Sequence, residues 1–250
     1  MGVIATESVA GLHQRYGGPF VRTRLTAANT KHVWRLGGAV VVEQSHDRHG
    51  QPVTAPQLFC LGDPADLKPL LTEVARTLPA QPERLSVEAH AEAALPRHWR
   101  FAQANRWTSM WTGATPPRVP HEDDVEPVID TDEVDALLDA ANPGSHGRPG
   151  DPGMRTWLGV RRQGDLVAAG ALTENPGTGT PNLRGITTLA HLRGRGLATA
   201  VTARLTRLGL ETLGPVVTLG VYTANEAAIS VYRRLGYQHD RSFVSGPLQP

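Results

Sequence analysis

Apolar positions in the second half of the chain follow two clear periods. Val134, Leu137 and Leu138 recur at helical spacing behind Thr131, which can cap the helix, and Asn142-Pro143-Gly144 ends it. Two apolar runs, Thr156 to Val160 and Leu166 to Leu172, flank Gln163-Gly164-Asp165 and predict a hairpin. Turn-rich stretches, Gly144 to Gly153 and Asn175 to Pro181, bound that hairpin. Leu183 to Leu189 reads as a strand running into Arg193-Gly-Arg-Gly-Leu-Ala198. Behind it Leu197, Val201, Leu205 and Leu208 share one helical face, and Gly214 stops the helix. Pro215 to Tyr222 is a strand. Thr223 and Glu226 have the spacing of a capping box for a helix that ends at Leu235, with Gly236 as C-cap. Ser242 to Gly246 fits a last strand.

The first half has a weaker pattern in a parallel order. One or two strands lie between Val33 and Glu43 around Gly37-Gly38, and Gln57 to Leu61 is another. Gly62-Asp63-Pro64 leads into a helix, Ala65 to Leu78, followed by strands at Arg84 to Glu88 and Trp107 to Trp111. Strand, turn, helix, strand is also the order from Leu183 to Tyr222, which suggests a diverged duplication. Between the halves, Trp111 to Pro127 holds Pro116, Pro117, Pro120 and Pro127 around the acidic run Glu122-Asp123-Asp124. Prolines remove backbone donors and resist helix, so this stretch reads as a linker. The expected organisation is one domain over residues 1–115, a linker at 116–127 and a second domain over 128–250.

Composition narrows the function. The 250 residues are 40% hydrophobic and 20% charged, an ordinary globular balance. Lys+Arg is 25 against Asp+Glu 24, so the basic excess of a nucleic-acid binder is missing. Cys60 is the single cysteine, which excludes an intramolecular disulfide and a cysteine-rich zinc site, and its apolar setting reads as core. Met1 to Ala10 lacks the pattern of a signal peptide, and no run approaches the ~20 apolar residues of a membrane span. The expectation is a cytoplasmic protein, a monomer or a homodimer. His46-Asp-Arg-His49 lacks a further clustered ligand and reads as a solvated loop rather than a metal site.

The strongest chemical signal is the strand, the glycine turn and the helix around residue 194. Gly194 and Gly196 let the backbone bend tightly and approach a ligand closely. Unpaired amides of the new helix point into that bend and make a pocket for phosphates, with Arg193 and Arg195 as mobile charge at its rim. A P-loop would need Gly-Lys-Ser/Thr, which is missing, and in the Rossmann pattern Thr199 stands at the third glycine position.

Ile186-Thr-Thr-Leu-Ala-His-Leu-Arg-Gly-Arg-Gly-Leu-Ala198 resembles the acetyl-CoA motif of GNAT N-acetyltransferases. Asn225-Glu-Ala-Ala-Ile-Ser-Val-Tyr-Arg-Arg-Leu-Gly-Tyr237 is similar to that family's second motif, in the expected order. The resemblance covers roughly Val125 to Leu248 and implies an α/β (α+β) GNAT fold, a mixed sheet with flanking helices; the repeated order extends this to two GNAT-like domains in tandem. It implies acetyl-CoA as cofactor, held by amides of Gly194, Arg195, Gly196, Leu197, Ala198 and Thr199 with Arg193 beside them. Ile186, Thr187 and Thr188 would pair with the pantetheine arm, Asn225 would contact it, and Tyr232 would protonate the departing thiolate. Asn225 and Tyr232 lie seven residues apart and so share a helix face.

A general base is harder to place. Gly220 and Asn182 stand where relatives often carry glutamate. Glu174, His146 and His191 are the alternatives, beside a water chain acting on an amine of low pKa; Glu174 enters the site as the catalytic candidate. The leading expectation is acetyl transfer from acetyl-CoA to a primary amine, on a small molecule, by direct attack. A non-catalytic acyl-CoA sensor and a protein N-terminal or lysine acetyltransferase are the alternatives. In the first half, Asp63 and Asp66 would repel a diphosphate and Pro64 offers no amide, so a degenerate domain without a cofactor site is expected.

Overall fold

The computed structural model describes residues 4–47 and 51–250; Arg48 and His49 of the His46–His49 stretch lie outside the described residues. The chain begins with β1 (Ala5–Thr6), α1 (Val9–Tyr16), α2 (Pro19–Arg24), β2 (Thr30–Leu36), β3 (Ala39–His46) and β4 (Pro52–Leu61). Then come α3 (Pro64–Thr77), β5 (Arg84–Glu88), β6 (Asn105–Thr112), β7 (Val125–Val128), α4 (Thr131–Ala141), β8 (Met154–Arg162) and β9 (Asp165–Glu174). It ends with β10 (Pro181–Thr188), α5 (Leu197–Thr212), β11 (Val217–Tyr222), α6 (Glu226–Arg234) and β12 (Gln238–Pro247). No helix among the described residues is long and apolar enough to cross a membrane.

Two compact units are present. One comprises Met1–Ser109, Tyr222–Ala224 and Asp240–Pro250; the other comprises Met110–Val221 and Asn225–His239. The division thus falls inside β6 and not at the proline-rich stretch, and the C-terminal segment belongs with the N-terminal unit. The reason is apolar packing. Phe243 on β12 enters an aromatic cluster with Phe20 at 4.6 Å and Trp107 at 4.8 Å between ring centroids, while Val244 faces the opposite core with Leu70 and Val87. Both side chains are fully buried, so β12 fills both faces of the first unit's sheet.

The first unit's strands run in the order β1-β2-β3-β4-β5-β12. Only β4 and β5 are parallel, and α3 connects them. The second unit's strands run β11-β10-β9-β8-β7; only β10 and β11 are parallel, and α5 connects them. Each unit is therefore an antiparallel meander closed by one crossover, in the same element order. The second unit's core uses Leu197, Val201 and Leu205 of α5 on one face of its sheet, and α4 with Trp157 on the other.

Several local readings shift. Asp130, rather than Thr131, caps α4, accepting the amide of Asp132 at 3.0 Å. The Thr223–Glu226 capping box does not form: Asn225 is the N-cap, accepting the amide of Ala228 at 3.1 Å, and the Thr223 hydroxyl donates to the carbonyl of Arg106. The side-chain carbonyl of Asn225, directly at the helix start, takes the place of the hydroxyl two residues earlier. Gly236 takes the left-handed conformation expected at the end of α6. The amphipathic α1, capped by Ser8, and α2, with Pro19 at its first turn, were not expected from the sequence pattern.

Candidate functional site

The site is built where β10 leaves β11. β10 pairs with β11 at two positions only, Asn182 with Thr218 and Leu183 with Leu219. A bulge follows on its other edge: between Arg184 and Thr187 the register against β9 shifts, so Gly185 and Ile186 together face Gly170. Gly185 has φ +61, and a Cβ there would approach Trp157 to 2.6 Å, so only glycine fits the bulge. The bend turns the end of β10 away from β11 and opens a V between parallel strands. Thr187 and Thr188 remain paired to β9, and their other backbone edge faces the opening. The Thr188 hydroxyl is buried there without a hydrogen-bond partner.

The wide end of the V leads to the glycine loop. A short 3-10 turn, Ala190–Leu192, ends at Arg193; Gly194 and Gly196 follow with φ +76 and +83. Gly196 is the N-cap of α5 and has no side chain to satisfy the first amides. The first amide with an acceptor is that of Ala200, which donates to the Gly196 carbonyl at 3.0 Å. The six successive amides of Gly194, Arg195, Gly196, Leu197, Ala198 and Thr199 have no acceptor among the described residues. This is the anion cradle expected of a helix start with a positive dipole end.

Arg193 corrects one expectation. Its Nε donates to the Thr188 carbonyl at 3.2 Å and its Nη2 to the Ala141 carbonyl at 3.0 Å. It is a tie between the end of β10 and the end of α4 rather than a mobile rim charge. Arg195 is exposed and has no partner among the described residues, so it is the free cation of the loop.

On α6, Tyr232 is 8% exposed, packed into the core of this unit with Tyr237 5.9 Å away between ring centroids. Burial pushes its phenol up to about 12, and the hydroxyl makes no hydrogen bond to any described residue. Tyr237, by contrast, is bonded to the Thr206 hydroxyl at 2.8 Å. Asn225 is exposed, and its carbonyl oxygen serves as the cap already described.

The base candidates are placed less favourably. Glu174 ends β9 opposite Pro181, and Arg155 Nε lies 2.7 Å from its carboxylate. Asn182 is buried in a neutral knot: its carbonyl oxygen accepts from Thr218 at 3.1 Å and its amide donates to Thr173 at 3.4 Å. Gly220 is exposed, as are His146 and His191. No group of three metal-ligating side chains occurs among the described residues.

The proline-rich stretch is where sequence reasoning missed most. It is not a free linker. Arg207 of α5 grips it, with Nε 2.7 Å from the buried Glu122 carboxylate and Nη2 donating to the Pro116 carbonyl at 2.6 Å. His121, held at φ +65, comes close to Gly196. Pro117, Val119 and Pro120 then wall a cavity of about 380 Å³ together with Arg195, Gly196, Thr199, Arg234 and Leu235. The acidic run was the available signal, since a buried glutamate demands a cation and α5 carries Arg207.

The matching turn of the first unit is arranged differently. β4 and β5 stay paired over four positions, Gln57–Cys60 with Arg84–Val87. The Gly62 amide donates to Glu88 at 2.6 Å and the Ala65 amide to Asp63 at 2.8 Å. The Gly38 amide donates to Asp66 at 2.7 Å, and Arg241 holds Glu88. Its own carboxylates already occupy these donors.

Residues 157–244 match the profile of the FR47-like protein family. No curated protein matches the chain. Among solved structures, a GNAT-family acetyltransferase from Novosphingobium aromaticivorans is 19% identical and covers 94% of each chain, with a TM-score of 0.54. A GCN5-related N-acetyltransferase from Kribbella flavida is 18% identical over 97% of this chain and 94% of that one, with a TM-score of 0.50. A GNAT-family acetyltransferase from Colwellia psychrerythraea is 14% identical over 99% of this chain and all of that one, with a TM-score of 0.52. At such identities these structures share the fold, and they share it across both units. The strand V, the glycine loop and the matched segment agree: this chain has the GNAT fold, and its residues 157–244 match the FR47-like profile.

Proposed function

We propose that the second unit is an acetyl-CoA-dependent N-acetyltransferase acting on a primary amine of a small molecule. The observation that carries this reading is the run of six unaccepted amides from Gly194 to Thr199 at the mouth of the V. A diphosphate satisfies such a run, and an extended arm fits along the unpaired edge of Ile186–Thr188 as an added strand. The unpartnered Thr188 hydroxyl and the narrowing of the V at Leu183 and Leu219 support the same placement.

Bound acetyl-CoA supplies a thioester. An amine attacks its carbonyl carbon, a C–N bond forms, the C–S bond breaks, and the sulfur leaves with its electron pair. An amide N–H on the free edge of β10 polarises the carbonyl oxygen. Tyr232 donates its phenolic proton towards the leaving thiolate; burial raises its phenol to about 12, so the proton is in place at neutral pH. The amine nitrogen releases its extra proton to water, because Glu174 is committed to Arg155 and Asn182 to threonine hydroxyls. Asn225 keeps one amide N–H group free of its capping role for the cofactor arm.

The first unit is a degenerate GNAT-like unit without a cofactor site in this reading. Continuous β4–β5 pairing leaves no V, and Glu88, Asp63 and Asp66 stand where an anion would sit. Calorimetry with acetyl-CoA is expected to give one site per chain, and a panel of amines to release CoA. Tyr232→Phe should then lower kcat by about 10²–10⁴-fold with little change in cofactor affinity. Two sites per chain would overturn the assignment of the first unit. Binding without acetylation of any amine would favour a sensor over an enzyme.

A further inference from the structure

Where the V closes, three strands carry a row of buried neutral side chains. Asn182 on β10 is the register partner of Thr173 on β9 and of Thr218 on β11, and β10 leaves β11 just past Leu183 and Leu219. All three are less than one-tenth exposed, as is Asn175 beside them. Their hydrogen bonds close on one another. The Thr173 hydroxyl donates to the Asn182 main-chain carbonyl at 2.8 Å, and the Asn182 side-chain amide donates to Thr173 Oγ1 at 3.4 Å. The Thr218 hydroxyl reaches Asn182 Oδ1 at 3.1 Å and the Pro181 carbonyl at 3.2 Å, and accepts from Asn175 Nδ2 at 3.2 Å. Amides and hydroxyls neither take up a proton at neutral pH nor balance a buried positive charge.

The charges on the surrounding elements do not supply what the row lacks. On β11, Val217 to Val221 carries no titratable side chain. On β9, Glu174 is held by Arg155 at 2.7 Å. On β10, Arg184 packs against Gly147, where a Cβ would stand 2.7 Å from its own, and brings positive charge. In the loop after α4, Arg148 is bound to Asp135 at 3.2 Å and Asp139 at 2.7 Å, and His146 is exposed. His191, in the turn after β10, is exposed as well, and Tyr232 on α6 keeps its proton. An ammonium ion entering here loses water, gains no counter-charge and meets an arginine. All three effects favour the neutral amine.

We propose that the acceptor is a weakly basic amine taken up as the free base, of the kind found as the α-amino group of an amino-acid amide or ester, and not an alkylamine of the lysine-side-chain type. This rests on the acetyl-transfer reading above and names its substrate class. The nitrogen arrives with its lone pair free, so no side chain has to remove a proton before the C–N bond forms. Afterwards that nitrogen gives one proton to water, the Tyr232 proton goes to the sulfur, and water restores the phenol. At pH 7 an α-amino group with a pKa of about 8 is roughly one-tenth neutral, whereas an alkylamine at about 10.4 is neutral in roughly one molecule per 2,500. The stronger base is the better nucleophile, which recovers part of that difference.

Amines matched on one carbon skeleton test it, with the full chain and acetyl-CoA: phenylalaninamide with phenethylamine, leucinamide with isoamylamine, and tyrosinamide with tyramine. At pH 7 the amide of an accepted pair should exceed its alkylamine in kcat/KM by about tenfold or more. With rising pH, kcat/KM should level off near about 8 for the amides and still be climbing at about 9.5 for the alkylamines, because each profile follows the amine's own pKa. Glu174→Gln should leave both profiles at the same midpoints. One midpoint shared by every amine, or a limb that Glu174→Gln abolishes, reveals a proton acceptor on the protein and overturns the inference while acetyl transfer stands. Alkylamines used as well as their amides at pH 7 overturn it too. Acetylation of none of the six amines, with CoA bound, overturns the transferase reading and this inference together.

Discussion

Gly196 holds φ +83 at the start of α5, and nothing but His121 Cδ2, 3.9 Å away, stands near the position of a Cβ. Alanine there costs conformational energy without a clash. A left-handed backbone costs an L-residue about 1–2 kcal/mol, which for a chain of this size is a fall in Tm of roughly 2–8 °C. Gly164 in the β8–β9 turn gives a matched control: its φ is +95, and a Cβ would meet nothing within 4 Å. Gly164→Ala should show a similar loss of stability and no loss of cofactor affinity. Gly196→Ala puts a methyl group in the middle of the amide run, where an anion must come within hydrogen-bond reach of consecutive N–H groups. Losing one or two charge-assisted bonds at about 1.5–3 kcal/mol each weakens binding at least tenfold. Thermal denaturation and titration with CoA read the two effects separately. If Gly196→Ala and Gly164→Ala bind CoA within about twofold of each other while both melt lower, the loop does not grip the diphosphate and the reasoning fails.

Arg207→Ala strands the carboxylate of Glu122, which is 3% exposed; a broken buried pair costs about 3–5 kcal/mol, so urea denaturation should show a loss of that order, while Glu122→Gln should lose less. High pH should destabilise the chain. Burial raises Tyr232 and Tyr16 to about 12 from an ordinary 10.0, and pushes Tyr237 up as well. The unfolded state therefore gives up these protons first, and stability present below pH 10 is lost as pH climbs towards 12. Denaturation midpoints that stay level across that window would contradict the burial argument.

How much of this was legible in the sequence follows from the range of the forces involved. The hairpin, the glycine turn, α5 and the end of α6 are set by local periodicity and by residues whose backbone freedom is unusual, so they could be read directly. The conformation of the glycine loop was legible for the same reason, since Gly194 and Gly196 write a positive φ into the chain. What was hidden depends on partners far away. Arg193 looked like a rim charge because nothing local shows that Ala141 and Thr188 offer it carbonyls. The proline-rich stretch looked like a linker because its anchor, Arg207, comes 85 residues after Glu122. The unit boundary was misplaced because Phe243 finds its aromatic partners Phe20 and Trp107 across most of the chain.

In the proposed reading, strand order does not by itself make a cofactor site. Both have a meander, one crossover helix and one parallel pair. They differ at two kinds of position. In the second unit a bulge at Gly185 ends the β10–β11 pairing after two residues, and a loop with two glycines starts the helix without a capping side chain. In the first, four paired positions keep the strands together, Asp63 caps α3, and Glu88 takes the amide of Gly62. A carboxylate on the chain is always present at high effective concentration, whereas a diphosphate must arrive from solution, so the internal anion holds its donors against it. Removing Glu88 alone would therefore free one amide without opening the strands, and Glu88→Gln should create no second CoA site in calorimetry. A second site in that variant would mean that the closed β4–β5 pairing is no barrier, and that open strands are not what admits the cofactor in the other unit.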